Sequence, residues 1–318
     1  MKVLLAQEIA PDGIEYLKEQ GLEVVLAPDE QTTTIQRCIR DCDGVISKTL
    51  MLTEEILQCA PQLRVIGKHG VGVDNVVDVE VARKLGIWVV NTPMANANSV
   101  AEHTVGYILA LSRHLREMDQ AVRAGNFDYP SQVECCEVEG KCLGIIGLGR
   151  IGQSVAKKCS LGLGMQVLGY DPYLDESKVP DFIRFTGEME EIFRQSDFIT
   201  LHIPYTPDTH HLVDARKLSL MKKSAFLINC ARGGIVDEEA LCQALEQKRI
   251  AGAGIDCFAH EPLSQDDPLL RAPGVMATPH SAALTREAMA RMSYGAAKGV
   301  AQVLLGQPVE WCVNRGTR

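Results

Sequence analysis

Short apolar runs rich in valine and isoleucine alternate with longer segments of helical periodicity along most of the chain. Strands are predicted at 2–6, 22–27, 43–47, 63–67, 87–91, 143–148, 165–170, 197–203, 225–230, 252–257 and 275–278. Most of these runs are apolar at consecutive positions, which is typical of strands that are covered on both faces in a parallel sheet. The repeated β–α order therefore predicts an α/β fold of doubly wound parallel sheets.

Helical patterns lie between the predicted strands, at 11–20, 54–60, 151–163, 187–195, 237–248 and 284–305 among others. The longest pattern runs over about 99–125, with Ser99 placed to cap its start, Glu102 as the capping-box partner and Gly125 to end it. A polar, irregular stretch follows this helix. The pattern therefore predicts a first α/β unit over 1–98 and a second unit after the long helix.

Composition narrows the class of protein. A length of 318 residues favours two domains, and 32 basic against 41 acidic residues give a formal charge of −9, which is unsuited to nucleic acid. No apolar run reaches a membrane-spanning length, and the first one stops at Gln7, too early for a signal peptide. The eleven cysteines are irregularly spaced, so reduced thiols in a cytoplasmic protein are expected rather than disulfides or a metal site.

A glycine-rich turn follows the predicted strand at 143–148. Gly147, Gly149 and Gly152 form a G-x-G-x-x-G pattern that opens a helix, and Asp171 ends the next strand 19 residues after the last glycine. This spacing is the dinucleotide-binding fingerprint, in which the glycines admit the pyrophosphate to a helix N-terminus and the acid binds the adenosine ribose. Because a carboxylate repels a 2′-phosphate and no arginine directly follows it, the pattern predicts NAD rather than NADP.

Charged residues stand at or just after the ends of three later predicted strands. Arg232 follows the strand at 225–230, Asp256 and Glu261 follow that at 252–257, and His280 follows that at 275–278. Since ligands of open α/β sheets bind beyond the carboxyl ends of the strands, these side chains can converge on one crevice. Each alone could also be an ordinary surface or loop residue.

These motifs together resemble the D-isomer-specific 2-hydroxyacid dehydrogenase family, and within it the 3-phosphoglycerate dehydrogenase branch is most similar. Besides the glycine turn, the resemblance is carried by the segments 67–75, 91–93, 229–237, 256–262 and 278–280. It implies a flavodoxin-like substrate domain of 1–98 and 286–318, and a Rossmann NAD-binding domain of 99–285. It further implies an active site in a cleft between the domains, and a homodimer with the long helix at its seam.

The resemblance also implies roles for the charged residues. His280 would be the acid/base that exchanges a proton with the substrate oxygen, and Glu261 would fix its tautomer. Arg232 would bind the substrate carboxylate, and Asp256 would hold the nicotinamide carboxamide. The substrate contacts implied are Lys68, Val71, Gly72 and Arg232. The NAD contacts implied are Gly147, Gly149, Arg150, Ile151, Gly152, Asp171, Ile203, Cys230, Ala231, Arg232, Asp256 and His280.

The physiological substrate stays open. Lys68 or Lys48 could bind the phosphate of 3-phosphoglycerate as point charges, or both could be surface lysines, and His69 beside them could be structural or functional. Hydroxypyruvate or glyoxylate reduction would use the same core residues. A different class, an NAD(H)-sensing co-regulator that binds protein partners, could also retain Arg232, Glu261 and His280.

Overall fold

The computed structural model describes residues 1–317, and the chain divides into two compact units. One unit is formed by Met1–Ala97 with Ala283–Arg318, and the other by Asn98–Ala282. Each unit contains its own sheet in which parallel strands predominate, so the predicted α/β class is confirmed. Among the described residues, no helix combines the length and apolar character needed to cross a bilayer.

The first unit has a six-stranded sheet. Its strands are β1 (Lys2–Leu5), β2 (Glu23–Leu26), β3 (Gly44–Ser47), β4 (Val65–Lys68), β5 (Trp88–Val90) and β13 (Cys312–Asn314), and its helices are α1 (Pro11–Glu19), α2 (Thr32–Ile39), α3 (Glu54–Gln58), α4 (Val79–Lys84) and α12 (Arg286–Leu304). The strand order is β13-β5-β4-β3-β1-β2, with only β13 antiparallel. The parallel part has the flavodoxin-like order 2-1-3-4-5, which confirms the predicted fold class.

Helix α12 covers one face of this sheet. Ala296, Ala297 and Val300 are fully buried on it. A β-carbon at Gly67 in β4 would lie 2.6 Å from a methyl group of Val300, so a larger residue there would push the helix away. The C-terminal helix thus belongs to the core of the unit that the N-terminal residues begin.

Strand β13 was not predicted, because it contains no buried apolar run: Cys312 and Val313 are exposed and Asn314 is polar. Its Asn314 side chain is 6% exposed. The amide oxygen accepts a hydrogen bond from the Val89 N–H at 2.6 Å, and the amide nitrogen donates to the Ile87 carbonyl at 3.2 Å. A polar side chain therefore completes the edge of the sheet where the backbone ladder is irregular.

The second unit has a seven-stranded, wholly parallel sheet. Its strands are β6 (Cys142–Ile146), β7 (Gln166–Tyr170), β8 (Arg184–Phe185), β9 (Phe198–Leu201), β10 (Phe226–Asn229), β11 (Gly252–Ile255) and β12 (Val275–Ala277); its helices are α5 (Ala97–Ser112), α6 (Leu115–Arg123), α7 (Arg150–Lys157), α8 (Met189–Gln195), α9 (Ala215–Leu220), α10 (Glu238–Glu246) and α11 (Pro268–Arg271). The order β12-β11-β10-β9-β6-β7-β8 is that of a Rossmann sheet with one further strand. The topological switch point, where the order of successive strands reverses, lies between β6 and β9.

The predicted single helix over 99–125 is wrong, because two helices occupy the segment. In a continuous helix the Ser112 carbonyl would accept a hydrogen bond from the backbone N–H four residues later. Here it accepts instead from the Cys136 N–H at 2.9 Å. His114 adopts a left-handed φ of 49°. The Ser99 cap is also wrong, since α5 begins at Ala97 and Ser99 lies inside its first turn. Gly125 does end α6 as predicted, with a φ of 74°.

Two ionisable residues are buried at the carboxyl end of β4. Lys68 is 5% exposed, and its ammonium donates to the Lys48 carbonyl and, at 2.9 Å, to Asn75 Oδ1. His69 is also 5% exposed. Burial, assisted by the positive charges of Lys48 and Lys68, lowers the pKa of His69 from 6.5 to about 4. The folded unit therefore keeps this imidazole neutral.

The buried imidazole predicts a pH dependence of stability. Between pH 6.5 and about 4 the unfolded chain binds a proton at His69 that the folded chain excludes, so stability is lost as the pH falls. A shift of this size corresponds to at most about 3 kcal/mol. Urea unfolding of wild type and His69→Phe at pH 7 and pH 4 measures it, and the variant is expected to lose less stability than wild type. Equal losses would show that His69 is not the group responsible.

Candidate active site

The glycine turn between β6 and α7 has the geometry that its sequence predicts. Gly147 has a φ of 95°, and a β-carbon there would lie 2.8 Å from Ile203 Cγ2. A β-carbon at Gly152 would overlap the Gly147 carbonyl oxygen. By contrast, no other side chain or distant backbone atom lies within 4 Å of a β-carbon built on Gly149, the residue before the first turn of α7. The space above the helix N-terminus is therefore open, as a pyrophosphate site requires.

The acid of the fingerprint closes this turn from the next strand. Asp171 directly follows β7; its Oδ2 accepts from the Leu148 N–H and its Oδ1 from the Tyr173 N–H, both at 2.9 Å. Arg150 is exposed and Ile151 half-buried in the first turn of the helix. The carboxylate is thus fixed beside the turn, where an adenosine ribose would be expected. The residues present fit a bound dinucleotide.

The loop after β10 holds Arg232 through a buried asparagine. Asn229 is 1% exposed; its side chain donates to the Arg232 carbonyl at 2.8 Å and accepts from the Ala231 N–H at 3.0 Å. The Cys230 side chain between them is buried. A β-carbon on Gly233 would overlap the backbone between Phe258 and Ala259, so this glycine lets the loop touch the one that follows β11.

His280 and Glu261 form the central pair of the site. His280 Nδ1 lies 2.8 Å from Oε2 and 3.1 Å from Oε1 of Glu261, whose Oε1 also accepts from the Phe258 N–H at 3.0 Å. Both side chains are over one-third exposed. Burial raises the pKa of Glu261, but the hydrogen bonds and the charges of His280 and Arg232 outweigh it and hold the pKa below its ordinary value. The carboxylate therefore stays ionised and orients the ring.

Asp256 holds the turn that presents His280. It is 1% exposed, and its carboxylate accepts from the Thr278 hydroxyl, from the Ser281 N–H at 2.8 Å and from the Ala282 N–H at 3.0 Å. The His280 N–H donates to the Asp256 carbonyl at 2.8 Å. Within this clamp His280 adopts the left-handed region, with a φ of 50°.

Helix α5 supports the same turn through residues that the sequence did not single out. The Tyr107 hydroxyl lies 2.6 Å from Thr278 Oγ1 and donates to the Ile255 carbonyl at 3.0 Å. His103 Nε2 lies 3.1 Å from the same Thr278 oxygen. The helical periodicity marks positions 103 and 107 only as inward-facing, so the hydrogen-bond partners of these side chains could not be found from the sequence.

Three residues predicted to bind substrate lie in the first unit. They are Lys68 at the end of β4, and Val71 and Gly72 in the loop that follows. The Val71 carbonyl accepts from Asn91 Nδ2 at 2.7 Å, which ties this loop to the end of β5. Lys48 Nζ donates to the Glu8 carbonyl at 3.1 Å. Both lysines proposed for a phosphate thus have carbonyl partners within their own unit.

The Rossmann order, the open glycine turn and the fixed acid define a dinucleotide-binding α/β protein. Residues 105–282 match the NAD binding domain of the D-isomer specific 2-hydroxyacid dehydrogenases. The chain belongs to this family. The resemblance that its motifs carry is therefore confirmed.

Relatives of several activities are similar over nearly the whole chain. A D-3-phosphoglycerate dehydrogenase of Methanocaldococcus jannaschii is 39% identical over 316 residues, which are 99% of this chain and 59% of the relative. A glyoxylate reductase of Thermofilum pendens is 37% identical over 99% of this chain and 94% of its own length. The structure of a D-lactate dehydrogenase from Aquifex aeolicus, complexed with NAD and lactic acid, has a TM-score of 0.83 and 31% identity over 96% of each chain.

The D-3-phosphoglycerate dehydrogenases that this chain matches are longer than the chain itself. The chain spans 56–59% of the length of three D-3-phosphoglycerate dehydrogenases that it matches. It spans most of the glyoxylate reductases. The shared part is therefore the two-unit core.

The open space at Gly149 predicts a selective effect of adding a methyl group. Gly149→Ala meets no atom of the protein and keeps an allowed φ of −68°, so the melting temperature should be unchanged. The methyl should occupy the pyrophosphate approach and raise the Kd for NADH at least about tenfold. Fluorescence titration measures this, with Gly187→Ala, an equally open glycine of the same unit, as the control. Unchanged NADH affinity would contradict the assignment of the turn.

Proposed function

We propose that this protein is an NAD-dependent oxidoreductase that interconverts a D-2-hydroxyacid and a 2-oxoacid. The observation that carries the proposal is the 2.8 Å pair between His280 Nδ1 and Glu261 Oε2. It lies in the same unit as the glycine turn, at the carboxyl ends of the parallel strands. An acid/base beside a nucleotide site is what the reduction of a carbonyl needs, because one proton must move with the hydride.

The pair assigns the proton to a defined atom. Because Glu261 faces Nδ1 and stays ionised, the hydrogen bond favours a proton on Nδ1 and leaves Nε2 to exchange the proton of the substrate oxygen. The cofactor, when bound at the glycine turn, would supply the hydride in its reduced form and accept it in its oxidised form. The hydrogen bonds of Asp256 fix the turn that carries the imidazole, so little conformational freedom has to be lost before the imidazole exchanges a proton with the substrate.

Arg232 is proposed to bind the substrate carboxylate. Its planar guanidinium matches a carboxylate with two parallel hydrogen bonds, and its positive charge favours the electron density that develops on the carbonyl oxygen during reduction. Asn229 fixes the backbone on both sides of it. Val71 and Gly72 are proposed as further carboxylate contacts on the family resemblance.

The proposed NAD contacts follow the glycine turn and the neighbouring strand ends. Ile203 lies close to Gly147, and Cys230 and Ala231 lie in the loop after β10. Asp256 is proposed to reach the nicotinamide carboxamide through an acceptor position beyond those that hold the turn. The Asp171 carboxylate favours NAD over NADP, because a 2′-phosphate would meet its negative charge.

Two substrate classes are proposed in order. D-3-phosphoglycerate is favoured by the number and similarity of the relatives that bear that name. Glyoxylate or hydroxypyruvate is favoured by Lys68, because this buried ammonium already donates to a carbonyl and to Asn75. A cation engaged in this way would need to rearrange before it could bind a phosphate.

Substituting the proposed catalytic residues should separate chemistry from cofactor binding. His280→Ala is expected to lower kcat between about 10²- and 10⁴-fold while NADH still binds. Glu261→Gln should cause a smaller loss, and Arg232→Lys should raise KM for the oxoacid and lower kcat together. Steady-state kinetics and NADH titration measure these effects. Near-normal turnover of His280→Ala would remove the proton-transfer role.

A panel of oxoacids tests the function itself. NADH oxidation is followed with 3-phosphohydroxypyruvate, hydroxypyruvate, glyoxylate and pyruvate side by side, and each is repeated with NADPH. Turnover with at least one oxoacid and a higher kcat/KM with NADH are expected. Tight NADH binding without turnover on any of them would favour the NAD(H)-sensing co-regulator instead, and a preference for NADPH would overturn the role of Asp171.

The assignment of units to roles follows the same proposal. The unit of Asn98–Ala282 would bind NAD, and the unit of Met1–Ala97 with Ala283–Arg318 would bind substrate. All eleven cysteines are free, which supports a reducing, cytoplasmic location that cell fractionation can test.

A homodimer through helices α5 and α6 is also proposed. Leu109, Leu115, Val122 and Phe127 are between 37% and 76% exposed on and just after these helices, and the family resemblance implies a dimer seam in this region. Sedimentation should show a dimer for wild type and a monomer for the double variant Leu115→Asp, Val122→Asp. Leu161→Asp, at another exposed leucine of the same unit, should remain dimeric. A wild-type monomer would contradict the proposal.

A further inference from the structure

A third metal-binding side chain lies beside the His280–Glu261 pair. Cys257 directly follows Asp256 after β11 and is 2% exposed. One donor atom from each of Cys257, Glu261 and His280 lies within 4.8 Å of the other two, and no other cluster of this kind was found in the described part of the chain. The proposed mechanism uses the carboxylate and the imidazole but gives the thiol no role.

We propose that Cys257, Glu261 and His280 form an inhibitory binding site for Zn²⁺. Sulfur, nitrogen and carboxylate oxygen are the three donor types that zinc takes in proteins, and three protein ligands with water in the fourth position make a common coordination set. The exposed sides of Glu261 and His280 leave room for that water. Metal binding at these atoms does not depend on the proposed function, whereas its inhibitory effect rests on it.

The distances require only small movements. Zinc bonds of about 2.0–2.3 Å in a tetrahedron place neighbouring donor atoms roughly 3.3–3.8 Å apart. The His280 and Glu261 donors, at 2.8 Å, would have to separate slightly, and the most distant donors of the cluster would have to approach by about 1 Å. Side-chain rotations supply movements of this size without a change of fold.

The charges of the site balance the ion. Glu261 is ionised and Cys257 would bind as a thiolate, so two negative ligands and one neutral imidazole would neutralise Zn²⁺. The nearby positive charge of Arg232 opposes the cation and limits affinity. The site should therefore bind zinc reversibly, in contrast to a structural zinc centre.

Proton movements explain the inhibition. Zinc takes the lone pair of Nδ1, so the proton on that atom moves to Nε2 and is held there, while the Cys257 thiol releases its proton to water. The imidazole can then no longer exchange a proton with a substrate.

Direct metal binding tests the site in the full-length protein. Titration with Co²⁺, an optical substitute for Zn²⁺, should give visible bands and a sulfur-to-cobalt charge-transfer band for wild type. Zn²⁺ should displace them, and Mg²⁺ should not. Cys257→Ala should bind one equivalent fewer, whereas Cys242→Ala, which removes another buried thiol of the same unit, should match wild type.

Inhibition supplies the second readout. Zn²⁺ should inhibit NADH oxidation of wild type reversibly, with EDTA restoring activity. In Cys257→Ala the concentration for half-inhibition should rise at least about tenfold. If Cys257→Ala does not fold, Glu261→Gln is titrated with Co²⁺ alone and should also lose one equivalent. Equal cobalt binding by wild type and by the ligand variant would overturn the site, whatever the outcome of the oxoacid panel.

Discussion

The buried carboxylate of Asp256 is the constraint on which the candidate site depends. An ionisable group that is 1% exposed is costly unless it is fully hydrogen-bonded, and here its oxygens accept from one hydroxyl and two backbone N–H groups of the segment 278–282. These bonds hold His280 in a left-handed conformation that a residue with a β-carbon rarely adopts. The buried Asp256 carboxylate therefore fixes the turn and, with it, the direction of the His280 imidazole.

A second constraint is the contact between neighbouring loops. The Arg232 loop reaches the loop of Glu261 because Gly233 has no side chain to separate their backbones. The positive charge of Arg232 then helps to keep Glu261 ionised. Three strands that are adjacent in the sheet thus deliver a guanidinium, a carboxylate and an imidazole to one edge.

Much of the fold could be predicted because parallel strands are covered on both faces and read as continuous apolar runs. All eleven predicted strands are present, but β8 and β13 were missed because both are short and neither contains a buried apolar run. The helix break at His114 was missed because it depends on a hydrogen bond from the Cys136 N–H to the Ser112 carbonyl, and these two residues are 24 positions apart in the chain. Local pattern cannot report such a partner.

The candidate site was predictable to a different degree for each residue. The glycine turn and the positions of Arg232, Glu261 and His280 follow from where strands end. The clamp by Asp256, the support from His103 and Tyr107 and the proximity of Cys257 to the pair depend on tertiary packing. Lys68 shows the converse, since its sequence position suggests a phosphate ligand but its ammonium is buried among partners of its own unit.

The most direct measurement of the central claim is the tautomer of His280. Long-range ¹H–¹⁵N spectra of protein labelled at histidine, assigned by comparison with His280→Ala, report which ring nitrogen carries the proton in the neutral imidazole. The account predicts a proton on Nδ1, facing Glu261, and a free lone pair on Nε2. A proton on Nε2 in the metal-free protein would contradict it, because the carboxylate would then not be directing the imidazole towards proton exchange.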